Sequence, residues 1–352
     1  MDAPVRAAAA SATVDPMRRV WIGTYPVAGA GTPVGLGEGV WTAELGEEGL
    51  VGLRQVVRTP APSFLARHPS GRWLYAVNES ARGTVTAFEV DGDVLLERAV
   101  VPSGGADPCH LLVRGGTLLV ANYSSGTLGV LDLDPDGALL GLRQVLGFTG
   151  QGPDAVRQEA SHAHFVALLG EEVLVADLGA DVLRRYRGER ELEPCGTVPL
   201  PPATGPRHLA VAADGRHVYV VGELAASLHV LEAGPEGLAP RQVLSLAGDR
   251  AVEGHLGWYV PEGRLLASHV ELSGDVLRAG VRVDDRLEAF RVRPDGTLEP
   301  LESTPLRGWP RHFATVDGVV LVAGQTSHEV EVLAPGRRSR ATVPSPACVL
   351  PA

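Results

Sequence analysis

The chain has 352 residues, 45% of them hydrophobic, and its 42 Asp and Glu outnumber its 31 Lys and Arg to give a formal net charge of −11. An acid excess of this size excludes broad contact with nucleic acid or an anionic membrane surface, because either would need a basic stripe. No apolar run approaches the roughly 20 residues that span a bilayer, and Cys109, Cys195 and Cys348 form neither a CxxC pair nor an even disulfide framework, so the expected compartment is the cytoplasm.

In chain order, residues 1–17 hold an alanine-rich patch with no basic stretch ahead of a strong apolar core, which reads as a disordered tail. Val20 to Tyr25 is then a β-type run with no strand before it. From Phe64 onward one unit recurs, in which a pair of residues precedes an apolar run that crosses a turn and ends on a polar residue. Phe64-Leu65 leads to Asn78, His110-Leu111 to Asn122, His164-Phe165 to Asp177, His208-Leu209 to Glu223, His255-Leu256 to His269, and His312-Phe313 to Gln325. Cys348-Val349 opens a copy that the chain does not finish. The starts lie 36 to 57 residues apart, the spacing of propeller blades. Seven starts predict seven blades.

One copy shows the interior of the unit. His208 to Ala212 alternates toward a short strand, Asp214-Gly215 makes a hairpin turn, and Val218 to Glu223 forms a second strand. Ser227 to Leu231 and Leu238 to Leu244 follow, separated by Gly234-Pro235-Glu236-Gly237. Antiparallel pairing brings the start of the first strand beside the end of the second, so His208 and Glu223 are expected neighbours. Repeated around a ring, this gathers the paired histidines and strand-ending polar residues on one face around a central channel. Cys348 onward lacks a second strand and Val20 to Tyr25 lacks a first, so these two segments are expected to pair. The predicted fold is all-β: a seven-bladed β-propeller of four-stranded antiparallel blades, one domain over 18–352 closed by its N- and C-terminal strands. The 43 glycines and 27 prolines suit its many tight turns.

The segments Gly105-Ala106-Asp107-Pro108-Cys109-His110-Leu111, Val120-Ala121-Asn122-Tyr123, His162-Ala163-His164, Asp177-Leu178-Gly179-Ala180-Asp181, Gly205-Pro206-Arg207-His208 and Glu223-Leu224, in this order, resemble the seven-bladed lactonase family. That family includes bacterial 6-phosphogluconolactonases of the propeller type and fungal carboxy-cis,cis-muconate cyclases, and the likeness runs through nearly the whole chain. From the muconate-cyclizing relatives it implies a site built from a histidine of the HxH segment, the arginine of GPRH, the glutamate ending the next strand and an arginine of a later loop. Here these are His162 or His164, Arg207, Glu223 and Arg282. Arg282 stands in Val281-Arg282-Val283-Asp284-Asp285-Arg286-Leu287, where the family commonly reads N-R-G-H-D-S-I. Arg282 and Asp285 keep register, whereas the asparagine, glycine and histidine are replaced. The connection from about Glu271 to Asp285 is expected to extend over the channel face as a partial lid.

Hydrolysis of a lactone needs a base for water, a donor for the tetrahedral oxyanion and a group that orients an anionic tail. Glu223 is the candidate base or base relay. His164, with His162 as its competitor, is the candidate for polarising the carbonyl or protonating the ring oxygen. Arg207 and Arg311 share a blade phase and offer carboxylate or phosphate a two-pronged contact. Arg282, His110, His208 and Asn122 are further candidate substrate contacts. Recurrence of the histidine favours a structural bond to a neighbouring blade at His110, His255 and His312, and Asp177 and Asp181 read as structural turn caps. His162 and His164 share a face of an extended segment, yet no metal or cofactor is expected. Cys109 lies in an apolar strand start with nothing to activate it. The expected function is metal-independent hydrolysis of a small anionic sugar lactone, 6-phosphogluconolactone foremost. The competing readings are a lactonizing cycloisomerase and a propeller that binds a metabolite or protein without catalysis. A monomer is the expected state.

Overall fold

The computed structural model describes residues 18–25, 38–235, 237–247 and 264–352. Within them, 28 strands form seven antiparallel sheets of four strands each. Blade 1 joins Pro346–Pro351 to Arg18–Thr24, Val40–Gly46 and Gly49–Val57. Blades 2 to 7 start at the inner strands Leu65–Arg67, Pro108–Arg114, Ala163–Leu169, Pro206–Val211, Leu266–Ser273 and Pro310–Val316. Each inner strand touches the inner strand of the next blade, and the last touches the first, so the sheets close around a channel. The closure uses the two chain ends as expected, with Trp21 opposite Leu350 and Ile22 opposite Val349.

Blade 5 shows how the sequence makes a blade. Pro206–Val211 turns back at Asp214-Gly215, where Gly215 has φ +65° and Asp214 Oδ1 accepts from the Arg216 N–H at 2.7 Å. The second strand, His217–Gly222, is buried along its whole length, as are Trp73–Asn78, Thr117–Asn122 and Glu172–Asp177 in blades 2, 3 and 4. These strands read as continuous apolar runs because a neighbouring blade covers each face. Tyr219, Val221 and Val230 of blade 5 meet Leu277, Ala279 and Phe290 of blade 6, and each fully buried side chain of this kind contributes about 1.5–3 kcal/mol. Outer strands such as Leu139–Gly147 alternate between partly buried and exposed positions, since they form the rim.

Blade 6 departs from the expected pattern. His255 lies outside the described residues, and the inner strand, Leu266–Ser273, carries His269 instead. His269 was expected to end a second strand; it occupies the first. The segment from Glu271 to Asp285 is not a lid: it is the end of that inner strand, a turn at Gly274 with φ +61°, and the second strand Val276–Arg282. Arg282 therefore sits at a strand end rather than in a loop. The alternation of Leu272, Val276 and Arg278 around one glycine is a hairpin signal, and it outweighs the apparent length of the connection.

Candidate functional site

A bulge in the inner strand decides which side chains reach the channel. In blade 3, Pro108 pairs with Asn122 and His110 with Ala121, leaving Cys109 without a ladder partner. Arg207 and Arg311 are skipped in the same way in blades 5 and 7, and His164 is skipped between Ala163 and Phe165 in blade 4. An inserted residue bends its strand and re-aims its side chain. All four bulge residues, Cys109, His164, Arg207 and Arg311, line a single cleft.

A second ring of positions completes the cleft, namely the first residue past each second strand. The N–H groups of Tyr25, Glu79, Tyr123 and Glu223 donate to the carbonyls of Ser345, Ala61, Asp107 and Gly205, each just ahead of an inner strand. Arg282 faces Leu266 at the corresponding place in blade 6. Tyr25, Glu79, Tyr123, Glu223 and Arg282 all line the cleft.

Arg157 is the remaining lining residue. It comes from the connection between blades 3 and 4, where Asp154 Oδ1 accepts from the N–H groups of Val156 and Arg157, both at 3.1 Å. Gln158 Nε2 ties that loop to the Leu178 carbonyl at 2.9 Å.

Glu223 is the hub of the cluster. Its Oε1 lies 2.7 Å from Arg157 Nη2, and its Oε2 lies 2.9 Å from Arg207 Nε and 2.8 Å from Arg282 Nη2. Burial would raise the carboxyl, but Arg282, Arg157 and Arg207 together hold it well below the usual carboxylate range. Burial and the neighbouring Arg282 push Arg207 down to about 9, so it is still charged at neutral pH. Arg207 Nη1 donates to the Ser268 carbonyl at 2.5 Å and Arg282 Nη2 to the Ala267 carbonyl at 2.8 Å, which fixes both guanidinium planes. Arg282 also lies 5.2 Å over the Trp309 ring, while its Nε has no hydrogen-bond partner among the described residues.

Across the cleft, Arg311 lies 4.1 Å over the Tyr25 ring and 3.9 Å from Glu79 Oε2. The Tyr25 hydroxyl donates to Glu79 Oε1 at 3.0 Å, and the Ser63 hydroxyl donates to Oε2. Burial raises the Glu79 carboxyl and outweighs the lowering by Arg311, Ser63 and Tyr25. His164 stands edge-on to Tyr123, with centroids 5.6 Å apart, and its Nδ1 is 3.9 Å from Cys109 Sγ. Burial, reinforced by Arg207, keeps its imidazole well below the usual histidine range and hence neutral.

The expected site residues thus divide. His164, Arg207, Glu223, Arg282 and Arg311 meet at the cleft. His162 does not line the cleft; it stacks on Tyr123 at 4.4 Å, with Nδ1 3.0 Å from the Tyr123 carbonyl oxygen. His110 accepts the Val166 N–H at 3.2 Å, linking blade 3 to blade 4, and His208 Nδ1 meets His269 Nδ1 of blade 6 at 2.7 Å. Asn122 is fully buried and donates to the Ser103 carbonyl in the connection from blade 2 and to the Thr127 hydroxyl of blade 3. Sequence reasoning missed Tyr25, Glu79, Tyr123 and Arg157. The first three stand one residue beyond the strand ends, as Glu223 does, and the fourth is marked only by the length of its connection. Among the described residues, no three His, Cys, Asp or Glu side chains converge as metal ligands, and no helix is long and apolar enough to cross a membrane.

A family model described as "Lactonase, 7-bladed beta-propeller" matches residues 19–349. The 6-phosphogluconolactonase of Bacillus subtilis (strain 168) is 27% identical over 355 residues, covering 94% of this chain and 97% of that protein. The 6-phosphogluconolactonase of Pectobacterium atrosepticum is 27% identical over 302 residues, covering 83% of this chain and 86% of that one. Among solved structures, the periplasmic gluconolactonase PpgL of Pseudomonas aeruginosa superposes with a TM-score of 0.82 at 29% identity, over 95% of this chain and 99% of that chain.

Proposed function

From the premise that the chain belongs to the seven-bladed β-propeller lactonase family and is a lactonase, we propose that its substrate is a small anionic sugar lactone, 6-phosphogluconolactone, bound in the arginine-lined cleft. The observation that carries this reading is the charge of the cleft. Among the described residues, four guanidinium groups, those of Arg157, Arg207, Arg282 and Arg311, face it against the carboxylates of Glu79 and Glu223, and all four arginines are between 1% and 8% exposed. A buried excess of cations at neutral pH is a site prepared for an anion.

The roles follow from the contacts. Glu223 aligns Arg157, Arg207 and Arg282 by accepting from or pairing with each of them. A carboxylate so engaged is a weak base, so its part is to fix the guanidinium groups where negative charge develops. Arg207 and Arg282 stabilise the tetrahedral oxyanion, a contribution of the kind that is worth about 3–4 kcal/mol per donor. His164, neutral, donates one ring N–H toward the carbonyl or ring oxygen. The guanidinium groups supply the electrophilic assistance, and the proposed reaction uses no metal.

The test is hydrolysis of freshly generated 6-phosphogluconolactone in metal-free buffer, measured against the spontaneous rate, with unphosphorylated gluconolactone in parallel. Acceleration by the parent protein, lost in a folded Arg207→Ala variant, is the expected outcome. No acceleration of either lactone would reject the reading, and preference for the unphosphorylated lactone would reject the phosphorylated substrate.

A further inference from the structure

Two carboxylates leave the ring at the same register position in blades that face one another across the channel. Glu79 follows the second strand of blade 2 and Glu223 that of blade 5, and each N–H bonds the carbonyl just ahead of its own inner strand, Ala61 or Gly205. Their surroundings differ in kind. Glu223 has guanidinium nitrogens at 2.7, 2.8 and 2.9 Å, which occupy both of its oxygens. Glu79 has two neutral hydroxyl donors, from Tyr25 and Ser63, and one guanidinium only at 3.9 Å. Its side chain is 7% exposed, and that exposure is to the cleft.

We propose that Glu79 is the general base of the lactonase reaction, taking a proton from the attacking water and returning it to the leaving ring oxygen. This assignment rests on the lactonase reading of the cleft given above. The Tyr25 and Ser63 hydroxyls hold one carboxylate orientation without neutralising it, whereas Arg311, stacked on Tyr25, stays near enough to bind an anionic substrate. The charged and titratable groups facing Glu79 are Arg311, Tyr25, Asp107 and Cys109. Burial, helped by Asp107, moves its carboxyl toward neutrality against Arg311, Ser63 and Tyr25, and a base nearer the working pH is the more effective one. Burial pushes the Cys109 thiol up, so it stays protonated and does not compete for the role.

The step balances as follows. Glu79 carboxylate accepts one proton from water as the water oxygen bonds to the lactone carbonyl carbon, and the carbonyl π pair moves onto oxygen beside Arg207 and Arg282. Collapse of the oxyanion breaks the bond from carbon to the ring oxygen, which takes the proton back from Glu79. The product is a hydroxy acid, whose carboxyl then releases its proton to solvent.

The experiment is a pH profile of kcat and kcat/KM for the parent, Glu79→Gln and Glu79→Asp on the lactone the parent accelerates. Glu79→Gln is expected to lose at least about 100-fold in kcat, to keep KM within about threefold, and to lose the acidic limb of the parent profile; Glu79→Asp is expected to keep that limb at a kcat at least about tenfold lower. A limb retained in Glu79→Gln, or a kcat within about fivefold of the parent's, overturns the assignment while leaving the lactonase reading intact. Should Glu79→Gln fail to fold, Glu79→Asp decides alone, and a kcat within about twofold of the parent's overturns it. A parent inactive on every lactone overturns both readings.

Discussion

Arg282 Nη2 lies 2.8 Å from Glu223 Oε2, although the two residues hold the same position in successive blades, each just past or at the end of a second strand. The ring geometry turns one sequence position into adjacent groups of opposite charge. Arg207, from the bulge of the inner strand of blade 5, and Arg157, from the connection between blades 3 and 4, complete the set. Three cations therefore depend on one buried anion, and the anion depends on them.

Removing that anion is expected to harm stability as well as turnover. Glu223→Gln removes the carboxylate that pairs with the buried Arg207 and Arg282 and contacts Arg157, and breaking a buried pair from one side costs about 3–5 kcal/mol. Adding Arg282→Gln removes one of the stranded charges and is expected to recover part of that loss but no activity. Denaturant midpoints of the single and double variants, read beside kcat, check this. A double variant no more stable than Glu223→Gln would show that the two residues are not coupled.

The two cleft glutamates bend stability with pH in opposite directions. Glu223 is held low, so its contribution is present above the usual carboxylate value near 4.5 and is lost as pH falls through its depressed folded value. Glu79 is raised, so its contribution is complete below about 4.5 and is lost as pH rises through its elevated folded value. Glu79→Gln is accordingly expected to match the parent in stability below about pH 4.5 and to exceed it at neutral pH. Thermal midpoints across that range check the sign, and a variant less stable than the parent at neutral pH would contradict it.

His110 separates structural histidines from functional ones. Its Nδ1 accepts the Val166 N–H of the next blade at 3.2 Å, and burial holds the ring well below the usual histidine range, so it accepts as a neutral imidazole. His110→Ala strands a buried N–H and is expected to cost about 1–3 kcal/mol while kcat stays near the parent value. His164→Ala is expected to do the reverse. Equal losses of activity in the two variants would remove the distinction.

Much of this architecture is legible in one dimension because blades repeat, and a repeat makes its own register visible. The hairpin of blade 5, the spacing of the starts and the orphan strands at Val20 and Cys348 all led to the observed ring. What one dimension hides is the bulge. In blade 4 the bulge position itself carries a histidine, so aligning His164 with His110 and His208 placed it one step out of phase; Phe165 is the true counterpart, opposite Ala176 as His110 is opposite Ala121. Glu79, Tyr25 and Tyr123 stand one residue past Asn78, Thr24 and Asn122, just beyond the last paired residue of each second strand, where a strand pattern gives no signal. In blade 6 a histidine before the inner strand drew the expected start away from His269, and no local pattern corrected it. Arg157 belongs to no repeat position at all, and only its capture by Glu223 in three dimensions assigns it to the site.

Closure of the ring through the chain ends makes one glycine a sensitive point. Gly23 lies opposite Cys348 in the pairing that joins the first strand to the last. A Cβ added there would run into the Pro62 carbonyl oxygen and come within 3.2 Å of the Leu65 side chain of blade 2. Backbone cannot give way cheaply at a strand held on both sides, so Gly23→Ala is expected to cost about 1–3 kcal/mol. Gly147, at the end of the outer strand of blade 3, has nothing within 4 Å of the corresponding point, and Gly147→Ala is expected to stay within about 0.5 kcal/mol of the parent. Weakened closure also exposes the edges of both terminal strands, which are templates for pairing between molecules, so Gly23→Ala is expected to aggregate at a lower temperature than Gly147→Ala. Denaturant unfolding and light scattering on heating check both statements, and equal behaviour of the two variants would mean that the terminal pairing contributes little to holding the ring.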